Sequence, residues 1–317
     1  MNEAIRLYCG INEQQWNHHP VAPGAYACVA HVYGKTVQTK QVNRVVVPPG
    51  THVIQDSGAF SDGPGQRLSV EEALDRQLAH AERFGYHDQI EAIASYDLLI
   101  DEKWENGVRY KARWTETDAW DACTSTIRAA SFLSKNRPQG MSTILSAQGV
   151  SAKQYLACAQ QVVPSLQRGD IFGLGGWCIT GKLPAQIMPV FREVMQGVIP
   201  FLGHEGVKRV HLWGVCYTPA LGELLWLCDE AGIQLSTDSS GPQVRPCLGE
   251  WGYGSWRNTS YTRPESMIRG AERARHVACT RDWLARFRER EPKRYRFLPR
   301  TPSYHMQSLW AENGGLA

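Results

Sequence analysis

The sequence lacks the segments that mark membrane and secreted proteins. No apolar run approaches the ~20 residues needed to cross a bilayer, and the opening residues, Met-Asn-Glu-Ala-Ile-Arg, contain no basic stretch that leads into an apolar one. The nine cysteines include no Cys-x-x-Cys pair, a pattern typical of reduced thiols rather than of a disulfide framework. We therefore expect a cytoplasmic protein with no signal peptide and no membrane partner.

The sequence also has no internal repeat, and its only biased segment is the basic C-terminal quarter. The net charge is a mild +3, yet the chain between residues 257 and 300 is rich in arginine. This charge indicates a polyanionic partner, since the guanidinium group matches the geometry of phosphate. The alternative is a solvated helix face with internal ion pairs. The arginines of this segment are Arg257, Arg263, Arg269, Arg273, Arg275, Arg281, Arg286, Arg288, Arg290, Arg294, Arg296 and Arg300.

A chain of 317 residues with 43% hydrophobic content fits one large α/β barrel or two smaller domains. Short strand-like segments alternate with helical ones, which predicts parallel strands joined by helical crossovers. About eight strands favour a closed (β/α)8 TIM barrel over an open sheet. We place the barrel in residues 1–245 and a basic, helical extension packed on it in 246–317. The predicted strands are 6–9, 26–33, 45–47, 52–55, 89–95, 142–147, 170–174, 207–213 and 233–238.

Several helix ends can be predicted from local sequence. Ser69 with Glu72 forms a capping box, and Ser151 with Gln154 caps the helix that follows 142–147. Thr218 followed by Pro219 predicts an N-cap with proline at the first helical position. Glycine at 85 and at 232 is expected to end the preceding helices. Further helices are predicted from near 117 and from 184 to 201.

Polar residues and glycines follow directly on most of the predicted strands. In a barrel they would all meet at one face, where this fold carries its chemistry. Each has a structural alternative: the aspartates as a turn former or a helix cap, and Gly175-Gly176 as a bare phosphate-binding loop. The glycine pair is not a dinucleotide fingerprint, because Cys178 stands in place of the third glycine. The residues at this rim are Asp56, Asp97, Gln148, Gly175, Gly176, Gly214 and Asp238.

Paired carboxylates of this kind support glycosyl transfer. One carboxylate attacks an anomeric carbon through an oxocarbenium-like transition state, and a second handles protons. An amide with a further carboxylate can read the donor and acceptor edge of a purine-like base.

Six motifs, in order, make the sequence resemble the tRNA-guanine transglycosylase superfamily. Residues 56–60 resemble the family's Asp-Ser-Gly-Gly-Phe/Tyr motif, 95–97 its Ala-Phe-Asp and 147–149 its Val-Gln-Gly. Residues 175–176 match its Gly-Gly loop, 212–216 resemble its Leu-Met-Gly-Val-Gly, and 233–238 align with its nucleophile strand. The segment Ser-Thr-Asp-Ser-Ser-Gly-Pro (236–242), with Trp-Gly-Tyr-Gly at 251–254, resembles the DNA-directed, DpdA-like branch. That branch exchanges guanine in DNA for a 7-deazaguanine such as 7-cyano-7-deazaguanine (preQ0).

The resemblance implies a pentosyltransferase with assigned residue roles. Asp238 is the nucleophile and Asp56 the general acid/base. Asp97 and Gln148 bind the base edge, Gly175 belongs to the same base site, and the backbone N–H of Gly176 meets the carbonyl oxygen of the base. Phe60 and Trp213 enclose the flipped base, with core packing as the alternative for both. We assign nucleic-acid contacts to the basic segment through Arg245, Arg257, Arg269 and Arg273.

The resemblance fails at the zinc site of the tRNA enzymes. Their Cys-x-Cys-x-x-Cys and distant His are absent, and Cys247, His276 and Cys279 do not make a tetrahedral set. We therefore expect no cofactor. The substrates are expected to be DNA and a 7-deazaguanine base, and a homodimer or a partner protein stays open. Three alternatives remain: a tRNA-guanine transglycosylase acting on RNA, a non-catalytic, nucleic-acid-binding paralogue and, more remotely, a glycoside hydrolase of free nucleosides or sugars, which would not need the arginine-rich segment.

Overall fold

Eight parallel strands of the chain close into a barrel. The structure, a computed structural model, describes residues 3–11, 25–31, 45–59, 67–98, 103–105, 108–110, 116–177, 184–239, 250–251, 259–260 and 271–295. Its strands are β1 (Ile5–Ile11), β2 (Tyr26–Ala30), β3 (His52–Asp56), β4 (Ile90–Ala94), β5 (Lys103–Glu105), β6 (Val108–Tyr110), β7 (Ser142–Ala147), β8 (Ile171–Leu174), β9 (Arg209–Leu212), β10 (Gln234–Ser239), β11 (Glu250–Trp251) and β12 (Thr259–Ser260). The barrel runs in the order β1-β10-β9-β8-β7-β4-β3-β2.

In the described part of the chain, helices follow each barrel strand from β3 to β10, and the closed parallel barrel confirms the (β/α)8 fold predicted from the sequence. They are α1 (Val70–Phe84), α2 (Glu116–Lys135), α3 (Ala152–Val162), α4 (Pro184–His204), α5 (Thr218–Ala231), α6 (Ala271–Ala285), α7 (Phe287–Arg290) and α8 (Pro292–Tyr295). Two antiparallel pairs, β5 with β6 and β11 with β12, stand outside the barrel. No helix in the described part of the chain is both long and apolar enough to cross a membrane.

Alternation along the strands builds two separate cores. Side chains that point into the barrel form a small cluster, and those that point outward pack against the helices in a much larger one. This is the two-sided burial expected of a parallel sheet covered by helices. The inner cluster consists of Tyr8, Cys28, Ile54, Ala92, Ala94, Ile144 and Ile171, with Tyr26 and Trp213 packed against it.

The predicted helix caps are largely confirmed. Ser69 and Glu72 form the capping box of α1, and the hydroxyl of Ser151 accepts a hydrogen bond from the backbone N–H of Gln154. Glycines 85 and 232 end α1 and α5 as expected. The prediction for α5 was wrong in one respect, because Tyr217 is the N-cap and Thr218 is already helical. Proline is tolerated one position further in, since the first four N–H groups of a helix have no intrahelical partner.

The predicted strand at 45–47 is not formed. Val45 is buried and Val46 is 45% exposed, so the segment keeps an alternating burial without joining the barrel. The two prolines that follow it, at 48 and 49, provide no backbone N–H for a ladder. The barrel therefore closes with β3 directly beside β2.

The C-terminal residues described here pack on the barrel. The backbone N–H of Ala4 donates to the carbonyl of Ala285 at 2.8 Å, which ties α6 to the start of β1. Leu284 and Phe287 are fully buried in the same core as the barrel helices. A Cβ added to Gly222 on α5 would meet the carbonyl oxygen of Arg294 at 3.0 Å, so α8 lies against α5. The boundary at 245 stays a prediction.

Some of the arginines in this segment are already paired within the protein. Arg288 makes a bidentate contact with Asp229 (2.7 and 2.5 Å), and the Tyr295 hydroxyl donates to the same carboxylate. Arg286 pairs with Asp282, and Arg294 lies 3.6 Å from Glu291. For these three arginines the structure shows the internal ion pairs that the sequence offered as the alternative to phosphate contacts. The predicted nucleic-acid contacts fall elsewhere: Arg245, Arg257, Arg269 and the side chain of Arg273 lie outside the described residues.

Candidate active site

The site residues predicted from the sequence gather at the carboxyl end of the barrel strands. Asp56 ends β3 and Asp238 lies near the end of β10. Gln148 and Trp213 follow β7 and β9 directly, and Asp97 lies in the segment just after β4. Because all eight strands are parallel, these positions share one face. Phe60 lies outside the described residues.

Asp238 is held by two hydrogen bonds to one oxygen. The backbone N–H of Gly214 donates to Oδ1 at 2.7 Å, and Nε2 of His211 lies 3.2 Å from the same oxygen. The side chain is 17% exposed. These contacts hold the carboxylate in one orientation, which suits a nucleophile.

Asp56 is the carboxyl group whose pKa its surroundings change most clearly. Burial, and then the nearby charge of Asp238, raise its pKa from 3.8 to about 7, with a smaller contribution from Asp97. The backbone N–H of Gly58 donates to its Oδ1 at 3.2 Å and opposes the shift. A carboxyl group that titrates near neutral pH can give and take a proton in the same catalytic cycle.

Asp97 is buried against the loop that follows β8. Burial raises its pKa to about 6, and a backbone hydrogen bond and the charge of Arg67 partly offset that rise. A Cβ placed on Gly175 would lie 3.3 Å from Oδ2 of Asp97. The loop can therefore approach this carboxyl group closely only because residue 175 has no side chain.

The glycine pair also contacts Gln148. Gly176 has φ of +79°, a conformation that residues with a side chain rarely adopt, and a Cβ there would be 3.8 Å from the Cβ of Gln148. The loop is anchored at Gly175, whose N–H donates to the carbonyl of Ala147 (3.0 Å) and whose carbonyl accepts from the Tyr155 hydroxyl (3.1 Å). Asp97, Gln148 and the two glycines thus form one continuous wall.

Gln148 is fully buried, and its amide nitrogen points into the protein. It donates to the hydroxyl of Thr126 at 2.7 Å and to the carbonyl of Leu98. A contact between this nitrogen and a base would require these hydrogen bonds to be exchanged. The structure therefore places Gln148 beside the predicted base site but shows its nitrogen in a supporting role.

Trp213 is positioned by a close approach across the barrel. Its indole nitrogen donates to the hydroxyl of Ser146 at 3.0 Å, and the ring packs on the inner cluster. A Cβ added to Gly173 would fall 2.3 Å from Oγ of Ser146 and 2.8 Å from Nε1 of Trp213. Only glycine at 173 leaves room for this arrangement. The partly exposed ring can both fill the barrel and present a stacking surface.

His211, Ser146 and Gly173 were not identified from the sequence. A signal was present, because His211 is two residues before Trp213 and therefore lies on the same inward face of β9. Likewise Ser146 lies two residues before Gln148, and Gly173 two before Gly175. Side chains two residues apart on a strand point to the same face. Counting back two residues from each predicted rim residue would therefore have identified all three.

The described part of the chain contains no group of three or more His, Cys, Asp or Glu side chains that could hold a metal ion. Cys279 is a partly buried free thiol. Cys247 and the side chain of His276 lie outside the described residues, so the predicted absence of a zinc site is not tested there.

Comparison with known proteins gave no match, either to a family model or to a curated protein. The resemblance to transglycosylases therefore depends on the motif order and on the geometry described above, and a function assigned to the site is a proposal.

Proposed function

We propose that the protein is a transglycosylase that exchanges guanine in DNA for a 7-deazaguanine base, such as 7-cyano-7-deazaguanine. The observation that carries the proposal is the contrast between two carboxyl groups on one rim. Oδ1 of Asp238 accepts from the N–H of Gly214 and lies 3.2 Å from Nε2 of His211, whereas burial and the charge of Asp238 bring the pKa of Asp56 to about 7. Different environments for neighbouring carboxyl groups are the pattern that separates a nucleophile from an acid/base.

In the first step Asp238 attacks C1′ of a 2′-deoxyguanosine residue flipped out of the duplex. A bond forms between the carboxylate and C1′ while the bond from C1′ to the base breaks. The electron pair of that bond leaves with guanine, and Asp56 supplies the proton that guanine takes. The product is a covalent glycosyl-enzyme with Asp56 ionised.

In the second step the incoming deazaguanine loses its proton to Asp56 and attacks C1′ from the opposite side. The ester bond breaks, and Asp238 leaves as a carboxylate, stabilised by the N–H of Gly214. Two inversions give net retention, and one glycosidic bond replaces another of similar energy. The exchange thus needs no nucleoside triphosphate as an energy source.

Base selection is proposed for the wall formed by Asp97, Gln148 and the two glycines. An ionised carboxylate accepts from the N–H groups of the guanine edge, and a backbone N–H of the glycine loop can donate to its carbonyl oxygen. Trp213 would stack on the base, a contact worth ~1–3 kcal/mol. Deazaguanines share this edge with guanine, so one pocket serves both bases.

The direct test is base release with purified protein. Duplex DNA and, separately, tRNA carrying labelled guanine are incubated with 7-cyano-7-deazaguanine. Wild type is compared with Asp238→Asn and Asp56→Asn, and with Asp75→Asn, which removes an exposed carboxylate of α1 as a matched control. We expect label release from DNA that requires Asp238 and Asp56 but not Asp75.

Other outcomes separate the alternatives. Release from tRNA alone would assign the site to RNA, with the 2′-hydroxyl as the discriminating group. DNA binding without release from either substrate, by a folded wild-type protein, would contradict catalysis and favour a binding paralogue. A glycosyl-enzyme trapped on denaturing gels when the deazaguanine is omitted would support the two-step route, and its loss in Asp238→Asn would identify the nucleophile.

A further inference from the structure

His211 lies inside the barrel, directly beside the proposed nucleophile. Its side chain is fully buried, between the rings of Tyr8 (centroids 5.7 Å apart) and Trp213 (4.4 Å apart), which meet it edge to face. A buried ring held between two others has little freedom to turn. Its two nitrogens therefore point in fixed directions.

Those two directions lead to two residues of β10. Nε2 lies 3.2 Å from Oδ1 of Asp238, and Nδ1 lies 3.0 Å from the hydroxyl of Ser236. That hydroxyl is also 3.1 Å from the carbonyl of Val210, so it can rotate to serve either partner. The ring bridges the inward face of β9 to two successive inward positions of β10.

We propose that His211 is a positioning residue that donates a hydrogen bond from Nε2 to Oδ1 of Asp238 and thereby makes Oδ2 the attacking oxygen. The role of Oδ2 as the attacking atom rests on the proposed function. The hydrogen bond from His211 to Asp238 does not depend on it.

Two donors on one oxygen distinguish the two halves of the carboxylate. In the described part of the chain, both hydrogen bonds to Asp238, from Gly214 and from His211, are received by Oδ1. They fix the plane of the carboxylate and reduce the nucleophilicity of Oδ1, which leaves Oδ2 to form the bond to C1′. When the ester bond breaks in the second step, the same donors stabilise the charge that returns to the carboxylate.

The test uses two substitutions that differ in one property. His211→Leu removes the donor and keeps an apolar side chain of comparable size, whereas His211→Gln retains an N–H that can reach Asp238. Single-turnover formation of the glycosyl-enzyme and the separate values of kcat and KM are measured for both. His204→Gln, at a histidine whose side chain is 76% exposed, is the matched control.

We expect His211→Leu to lower kcat by about 10- to 100-fold, the usual effect of losing a hydrogen bond to a charged group, with KM for DNA little changed. His211→Gln should recover most of that loss. Equal impairment of the two variants, or an unimpaired His211→Leu, would overturn the proposal. A purely structural role would lower the amount of folded enzyme without separating Leu from Gln.

A second measurement does not depend on activity. In protein labelled with 15N at histidine, the ring nitrogens show which of them carries a proton, and the His211→Gln variant assigns the signals. We expect a proton on Nε2 that is protected from exchange and whose resonance moves in Asp238→Asn. A ring protonated on Nδ1 alone would refute the proposal, because Nε2 could then not donate. If base exchange fails but the spectrum is as expected, the proposed function is rejected, while the hydrogen bond from His211 to Asp238 is supported.

Discussion

Replacing the proposed acid/base should stabilise the protein in a way that depends on pH. Asp56→Asn keeps an oxygen that can accept from the N–H of Gly58, but it removes the ionisable group. In wild type the pKa of Asp56 is raised from 3.8 to about 7 by burial and by the charge of Asp238. The folded state therefore holds this proton more tightly than the unfolded chain does, and stability is lost as pH rises from 3.8 through about 7.

The size of the effect follows from the shift. A rise of about 3 units corresponds to about 4 kcal/mol at pH above 7, at 1.36 kcal/mol for each unit. Part of this cost is already present at pH 5, so the change between pH 5 and pH 8 is about 2–3 kcal/mol. Asp56 is only half-buried, and solvent access at the rim reduces the figure. We expect Asp56→Asn to gain about 2 kcal/mol in the free energy of unfolding on going from pH 5 to pH 8, relative to wild type.

The assay is denaturant unfolding of both proteins at pH 5, 6, 7 and 8, monitored by tryptophan fluorescence and by circular dichroism. Asp75→Asn, at an exposed carboxylate of α1, should show no such pH dependence. A difference between Asp56→Asn and wild type that is the same at pH 5 and pH 8 would mean that Asp56 is not protonated near neutral pH. The assignment of Asp56 as acid/base would then lose its physical basis.

Three further predictions concern the remaining parts of the molecule. The rate of guanine release under kcat/KM conditions should fall by up to tenfold per pH unit above about 7, because Asp56 must begin the reaction protonated; a flat profile to pH 9 would contradict this. Gly173→Ala should displace the ring of Trp213 and weaken base binding by about 5- to 100-fold, visible as altered tryptophan fluorescence and a raised KM for the deazaguanine. Arg288→Ala should cost about 1 kcal/mol of stability yet leave the salt dependence of DNA binding unchanged, because its guanidinium is occupied by Asp229; a reduced salt slope would show that it contacts phosphate.

Local signals predicted the frame of the barrel well. The capping box at Ser69, the cap at Ser151 and the glycines that end α1 and α5 are short-range features, and each formed as expected. The strand predicted at 45–47 failed for a reason that is not local. Its apolar residues do alternate, but whether a segment joins a barrel depends on whether the neighbouring positions are already filled, and β2 is paired with β3.

The site was predictable only in outline. Strand ends could be located, and parallel strands require those ends to meet, so the rim carboxylates could be grouped from the sequence. Which donor holds which oxygen depends on contacts across the barrel. His211 and Asp238 are 27 residues apart, and Ser146 and Trp213 are 67 apart. The two-residue period of a strand can place His211 and Gly173 on the inward face, but it does not encode which side chains meet across the barrel.

The proposed roles of the two carboxyl groups are not interchangeable. If Asp56 were the nucleophile, it would have to ionise beside the charge of Asp238, the repulsion that already helps to raise its pKa. If Asp238 were the acid, its proton would compete with the hydrogen bonds that Oδ1 receives from Gly214 and His211. The charge of Asp238 thus disfavours ionised Asp56, and the contacts from Gly214 and His211 disfavour a proton on Oδ1 of Asp238. Substituting Asp238 by Asn should therefore lower the pKa of Asp56, which a carboxyl titration by NMR can measure; an unchanged value would show that the two groups do not interact.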